Sequence, residues 1–207
     1  MWLRSLLPLI ALAGCDRLFR IDEFKPGSTN PDGNGEVMGT TGPRVVFVSS
    51  TTSAGGALDG LAGADRMCQT RAADAQLPGA YRAWLSMPGV PVAARIPHTG
   101  GPFVLVDQTP IAMDWQALTT TNLLHAIDTT EGGAHLQGAG CDVWTNTTQA
   151  GLEQSPNTSD DCYDWTTVDH GGVAEMGSVV DVDARWTDHF LCNISCMDQA
   201  RLYCFQQ

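Results

Sequence analysis

The chain has 207 residues, of which 43% are hydrophobic and 16% charged, with 22 glycines and a formal net charge of −12. That length holds one ordinary domain plus an extension, and the low charge with many glycines excludes a helical bundle in favour of a loop-rich fold. The acidity sets aside nucleic acid and a bare anionic lipid surface as partners, and no run reaches the roughly 18 apolar residues that a membrane-spanning helix needs.

The first fifteen residues, MWLRSLLPLIALAGC, carry a basic start at Arg4 and a short apolar stretch over 5–13. Those are the n- and h-regions of an export signal. The segment ends Leu12-Ala13-Gly14-Cys15, which resembles the lipobox of bacterial lipoproteins. The resemblance implies that residues 1–14 are a lipoprotein signal peptide and that the Cys15 sulfur receives a diacylglycerol. The protein would then be anchored at a bacterial cell envelope, on the inner or outer membrane, with its domain outside the cytoplasm. Two or three acyl chains anchor stably where one binds marginally. With Cys15 so used, the odd total of seven cysteines leaves an even six.

Residues 15–43 form the next unit. Between Pro26 and Pro43 the chain is Gly, Ser, Thr, Asn, Pro and Asp with almost no apolar periodicity. Such a stretch buries too little surface to offset its ordering entropy and is expected to be a flexible tether. The domain, 44–207, then opens on RVVFVSS, a β-branched and aromatic run that predicts a strand. Leu58 to Ala75 follows with Leu61, Ala64, Met67, Cys68 and Ala72 on one helical face, Asp59 as N-cap and Gly79 past the end. YRAWLS from Tyr81 and FVLVD from Phe103 predict further strands, Cys141 to Trp144 a short buried one, and RLYCFQQ from Arg201 an alternating terminal one. The fold class expected is α+β: small mixed or antiparallel sheets, one or two helices and a long loop region.

Cys68, Cys141, Cys162, Cys192, Cys196 and Cys204 read as three disulfides in an exported domain. Spacing alone leaves the pairing open, and Cys192 and Cys196 are near enough in sequence to bond each other. Zinc is disfavoured, because Cys192-x3-Cys196 has no second closely spaced Cys/His pair. Taken together, RVVFVSS, LDGLAGADRMCQ, YRAWLS, PFVLVD, VWTNT, CYDWT and RLYCF resemble a bacterial extracytoplasmic domain family of unassigned function. That family is related to endostatin and to the C-type-lectin-like fold. The resemblance covers 44–207 and is most specific in LAGADRMCQ and RLYCF. It implies a bond between the helix and the terminal strand, Cys68 to Cys204, with Cys162 to Cys196 and Cys141 to Cys192 as the other two.

Binding chemistry is expected in 140–187. Asp160, Asp161, Tyr163, Asp164 and Trp165 are candidate ligand contacts, and Asp169 belongs to the same acidic region. In VVDVDARW, strand alternation would put Asp181 and Asp183 on one face as a candidate calcium site, since hard cations take several oxygen ligands. The sugar-binding tripeptides of C-type lectins are absent; Ser155-Pro156-Asn157 keeps only the Pro-Asn. Trp115, Trp144, Trp165 and Trp186 could stack on sugars, although Trp84, Trp144 and Trp186 are expected in the core. His98, His125, His135, His170 and His189 are scattered, and no nucleophile elbow, HExxH or phosphate loop occurs. Endostatin's zinc histidines have no counterpart near Arg44. The function expected is non-enzymatic: a lipid-anchored envelope protein presenting its loop region to a protein or glycan, with no certain cofactor. An envelope hydrolase using loop acids and a histidine, or a purely structural surface lipoprotein, are the alternatives.

Overall fold

The structure is a computed structural model that describes residues 42–98, 100–168 and 172–207. The signal peptide, Cys15, the tether up to residue 41, Asp169 and His170 lie outside the described residues. Among those described, no helix is long and apolar enough to cross a membrane.

In chain order the elements are β1 (Arg44–Val48), β2 (Ser53–Ala54), α1 (Gly60–Asp74), β3 (Tyr81–Ala83), β4 (Phe103–Val104), β5 (Pro110–Ala112) and α2 (Trp115–Thr120). There follow β6 (Val143–Trp144), the turn α3 (Cys162–Trp165), β7 (Val173–Gly177), β8 (Asn193–Ser195), β9 (Gln199–Ala200) and β10 (Tyr203–Gln206). The class is therefore mixed α+β. A five-stranded sheet runs in the order β3-β10-β1-β4-β5, a three-stranded one β6-β7-β8, and β2 pairs with β9. In the large sheet only β1 and β4 are parallel; β10 lies antiparallel between β1 and β3, with Val46 opposite Phe205 and Cys204 opposite Ala83.

Alternation along the central strands divides the core. Phe47 and Cys204 face one side, where Ala64, Cys68 and Ala72 of α1 meet Trp144, Trp165, Ala174 and Met176. Val46, Val48, Tyr203 and Phe205 face the other, against Trp84, Phe103, Ile111, Leu118 and Trp186. Ala64, Cys68 and Ala72 recur every four residues, the helical repeat that puts all three on one line. Small side chains there let α1 lie close to the sheet. Trp84 anchors the second side: its ring centroid is 4.9 Å from those of both Trp186 and Phe205. Its Nε1 donates to Thr187 Oγ1 at 2.7 Å, so the indole is buried without an unpaired N–H.

The ends of α1 differ from the sequence expectation. Asp59 adopts a left-handed backbone (φ 61°) and accepts no capping hydrogen bond; its carboxylate pairs with Arg66 instead. At the other end the left-handed residue is Gln76 (φ 58°), not a glycine. Leu77 N–H donates to the Ala72 carbonyl at 2.9 Å and Gln76 N–H to the Ala73 carbonyl at 3.0 Å, which together close a Schellman motif. Gly56 answers to close approach: a Cβ there would lie 1.9 Å from the Thr167 carbonyl oxygen.

Three disulfides staple the domain: Cys68–Cys204 between α1 and β10, Cys141–Cys192, and Cys162–Cys196. The last two tie the loop before β6 to the loop before β8, and the turn α3 to the residue after β8.

Candidate functional site

The acidic loop at 160–165 is built around a left-handed turn. Cys162, Tyr163, Asp164 and Trp165 have φ of 58°, 54°, 57° and 62°. For L-residues that conformation costs roughly 1–2 kcal/mol each, so four in succession must be imposed by their surroundings. The restraints are evident. Cys162 is bonded to Cys196, and Trp165 is fully buried with its Nε1 donating to the Ser86 carbonyl at 2.9 Å. The Trp165 N–H donates to the Asp161 carbonyl at 2.8 Å.

This geometry separates the five candidate contact residues. Trp165, expected as a surface contact, instead lies fully buried in the core. Asp161 is also fully buried: Oδ1 accepts from the Asp164 N–H at 3.0 Å, and Oδ2 has no partner. Burial, with the neighbouring charges of Asp164 and Asp160, pushes its carboxyl up to about 6. Its side chain lies in the interior rather than on the loop surface. Asp160 reaches the surface, where Ser155 Oγ at 2.7 Å, Asn157 and Ser159 donate to it and hold it below the ordinary carboxylate range. Tyr163 stands out into solvent, 43% exposed.

Asp181 and Asp183 are likewise not arranged as the alternation suggested. Residues 181–183 form no strand; Asp183 starts a short 3-10 turn over Ala184–Trp186, accepting from the Arg185 N–H at 3.1 Å. The Arg185 guanidinium pairs with both carboxylates, at 2.9 Å from each. That hydrogen bonding and charge lower Asp183. The two acids converge, but on an arginine that already supplies their counter-charge. Among the described residues no group of three or more His, Cys, Asp or Glu side chains is placed to hold a metal ion.

Beside Arg185 opens a groove of about 690 Å3, within the usual size of small-molecule sites. Asn122, Gln149, Gln154, Arg185, Asp188 and Phe190 line it. Its walls come from the segment after α2, the turn at 147–153, the 3-10 turn at 184–186 and the loop leading to Cys192. Cross-bonds fix them: Gln149 Nε2 donates to the Thr121 carbonyl at 2.6 Å, Leu123 N–H to the Val182 carbonyl at 2.7 Å, and Asp188 N–H to the Ala184 carbonyl at 2.9 Å. Burial raises the Asp188 carboxyl; burial raises Glu175 too, with the Asp188 charge adding to it. Among the described residues, Glu175 Oε2 and the Nδ2 of fully buried Asn146 have no partner. Asn146 is joined to the groove wall through the Gln154 N–H, which donates to its carbonyl at 3.0 Å. A second depression, of about 490 Å3, runs along α1 past Leu58, Asp59, Arg66, Met67 and Arg71. Its charged groups are already matched, Asp59 with Arg66 and Arg71 with Asp74.

The histidines do not assemble a relay among the described residues. His98 donates to the Ala93 carbonyl and stacks on Trp115, His125 donates to the Pro110 carbonyl, and His135 pairs with Asp128 at the surface. His189 has its Nε2 4.0 Å from Asp181 Oδ2. Sequence reasoning did not find the groove, because its lining residues are far apart in the chain and each alone is an ordinary polar loop residue. Only Phe190-Leu191, two large apolar side chains in a polar loop, marked the place.

These features define a disulfide-stapled α+β domain with a groove of mixed polar and apolar lining on its loop face. No protein-family model matches the chain, and no curated protein matches it either.

Proposed function

We propose that the chain is a lipid-anchored recognition protein of a bacterial cell envelope. Cys15 carries the anchor, and a C-type-lectin-like domain over 44–207 presents its loop face to an external protein or glycan. The observation that carries the reading is a rigid loop surface that leaves large apolar side chains in water. The Cys141–Cys192 and Cys162–Cys196 bonds lock the loops, while Tyr163, Phe190, Leu191 and Met197 are 43–74% exposed. Exposed side chains of that size, held in place and rimmed by polar groups, mark interaction sites. The α1–β10 disulfide and the antiparallel pairing of β1 with β10 support the fold assignment.

Two measurements test it. Mass spectrometry of the membrane form is expected to find residues 1–14 removed and acyl mass on Cys15; an intact Met1 overturns the anchor. Detergent-solubilised lipoprotein on glycan and peptide arrays is expected to show saturable retention that reduction of the disulfides abolishes. No retention on either array, or turnover of a retained compound, overturns recognition as the function.

A further inference from the structure

We infer that the groove at Asn122, Gln154, Asp188 and Phe190 is a calcium-independent site for neutral pyranose sugars. The inference rests on the recognition reading above and specifies its ligand. The chemistry of the lining carries it. Asn122 and Gln154 each present a planar carboxamide, and among the described residues neither they nor Asp188 form a side-chain hydrogen bond or ion pair. Gln149 commits its Nε2 to the Thr121 carbonyl and keeps its Oε1 for a ligand. A carboxamide offers a donor and an acceptor on one rigid plane and a carboxylate offers two acceptors, the pattern that vicinal hydroxyls of a sugar ring complement. Phe190, 72% exposed and accompanied in the lining by Ala184, supplies an apolar face, as a pyranose needs for its own C–H face.

Alternative ligands fit less well. A peptide taken up by strand addition needs an open sheet edge, whereas these walls are loops and a 3-10 turn; a helix needs an apolar groove. An anionic sugar would meet Asp188, with Glu175 behind it, while the nearby cation, Arg185, is already shared by Asp181 and Asp183. The scheme invokes no calcium, because Arg185 already pairs with Asp181 and Asp183. The groove is also preorganised. Hydrogen bonds join the segments of its walls, so a ligand does not have to order the loops as it binds.

The test uses the mature lipoprotein in detergent micelles with EDTA present. The probes are the methyl glycosides of glucose, galactose, mannose and N-acetylglucosamine, with methyl glucuronide as the anionic control, read by saturation-transfer NMR and titration. At least one neutral glycoside is expected to bind with a dissociation constant of about 1 mM, and the glucuronide about tenfold more weakly. Phe190→Ala and the pair Asn122→Ala/Gln154→Ala, all at exposed positions, are each expected to weaken binding about tenfold with an unchanged melting temperature. Asp188→Asn is expected to reduce the discrimination against the glucuronide. No transfer to any neutral glycoside, binding that appears only when calcium is restored, or affinity unchanged in both variants overturns the inference. Retention of a partner on the arrays together with any of these results removes the groove as a sugar site and leaves recognition at the loop face standing. Failure of both tests removes the two together.

Discussion

Replacing Asp161 with asparagine isolates the energetic consequence of one buried carboxylate. Asp161 is fully buried, one oxygen is unpartnered, and its carboxyl lies at about 6 against an ordinary 3.8. Because the folded value is raised, the folded state holds the proton through the window in which the unfolded chain has already lost it. Stability contributed by the protonated form is therefore complete below about pH 4, declines as pH rises towards about 6 and is absent above that. A shift of about two units corresponds to roughly 3 kcal/mol at neutral pH. In the Asp161→Asn variant the amide oxygen keeps the acceptor for the Asp164 N–H and the side chain carries no charge, at a constant cost for placing an amide nitrogen where Oδ2 has no partner. Unfolding free energies of both proteins, disulfides intact, are to be measured by urea titration near pH 3.5 and near pH 7.5. The variant-minus-native difference is expected to be about 3 kcal/mol more favourable to the variant at the higher pH, or about 6–12 °C in melting temperature. Glu175 and Asp188 are raised in the same direction and tilt both curves alike, so the difference belongs to Asp161. A difference that is independent of pH, or that grows towards acid, refutes the reasoning.

Three further outcomes are expected. The double variant Cys68→Ser/Cys204→Ser opens a loop closed across 136 residues and is expected to lose roughly 5 kcal/mol, seen by calorimetry as a large fall in melting temperature. Thr187→Val leaves the buried Trp84 Nε1 without its acceptor and is expected to cost about 1–3 kcal/mol in chemical denaturation, more than Val for Thr at an exposed site. Calcium is expected to leave the melting temperature of the native protein unchanged, whereas Arg185→Ala, which releases Asp181 and Asp183, is expected to gain a calcium-dependent rise. A rise in the native protein shows that Arg185 is not a sufficient counter-charge.

What the sequence made legible follows from how local each signal is. RVVFVSS and RLYCFQQ alternate or branch strongly enough that β1 and β10 stand where expected, and the every-fourth-residue line of Ala64, Cys68 and Ala72 placed α1. The α+β class and a cysteine-held loop region follow from the same reading. Strands β2, β5, β8 and β9 carry two or three residues each, too few for any period to register. Asp59 reads as an N-cap by residue type, but its left-handed backbone and its pairing with Arg66 are decided by the loop before it. In VVDVDARW the alternation was real as a pattern and lost to Arg185, two residues beyond, whose guanidinium draws both aspartates into a turn. The groove was illegible because its chemistry is assembled from loops far apart in the chain, joined by hydrogen bonds such as Gln149 to Thr121 and Leu123 to Val182.

The position of β10 has a consequence for how the molecule is made. A chain emerging from its amino end presents β1 and β3 long before the strand that must lie between them, so β3 has no neighbour in the large sheet until Tyr203–Gln206 arrives. Over the same interval Cys68 waits as a free thiol while Cys141, Cys162, Cys192 and Cys196 pass it, each a nearer partner than Cys204. Oxidation in order of emergence would give wrong pairs, and only thiol–disulfide exchange can undo them. If the cysteines are oxidised in that order, reaching the native pairing takes disulfide reshuffling, a step of seconds to hours.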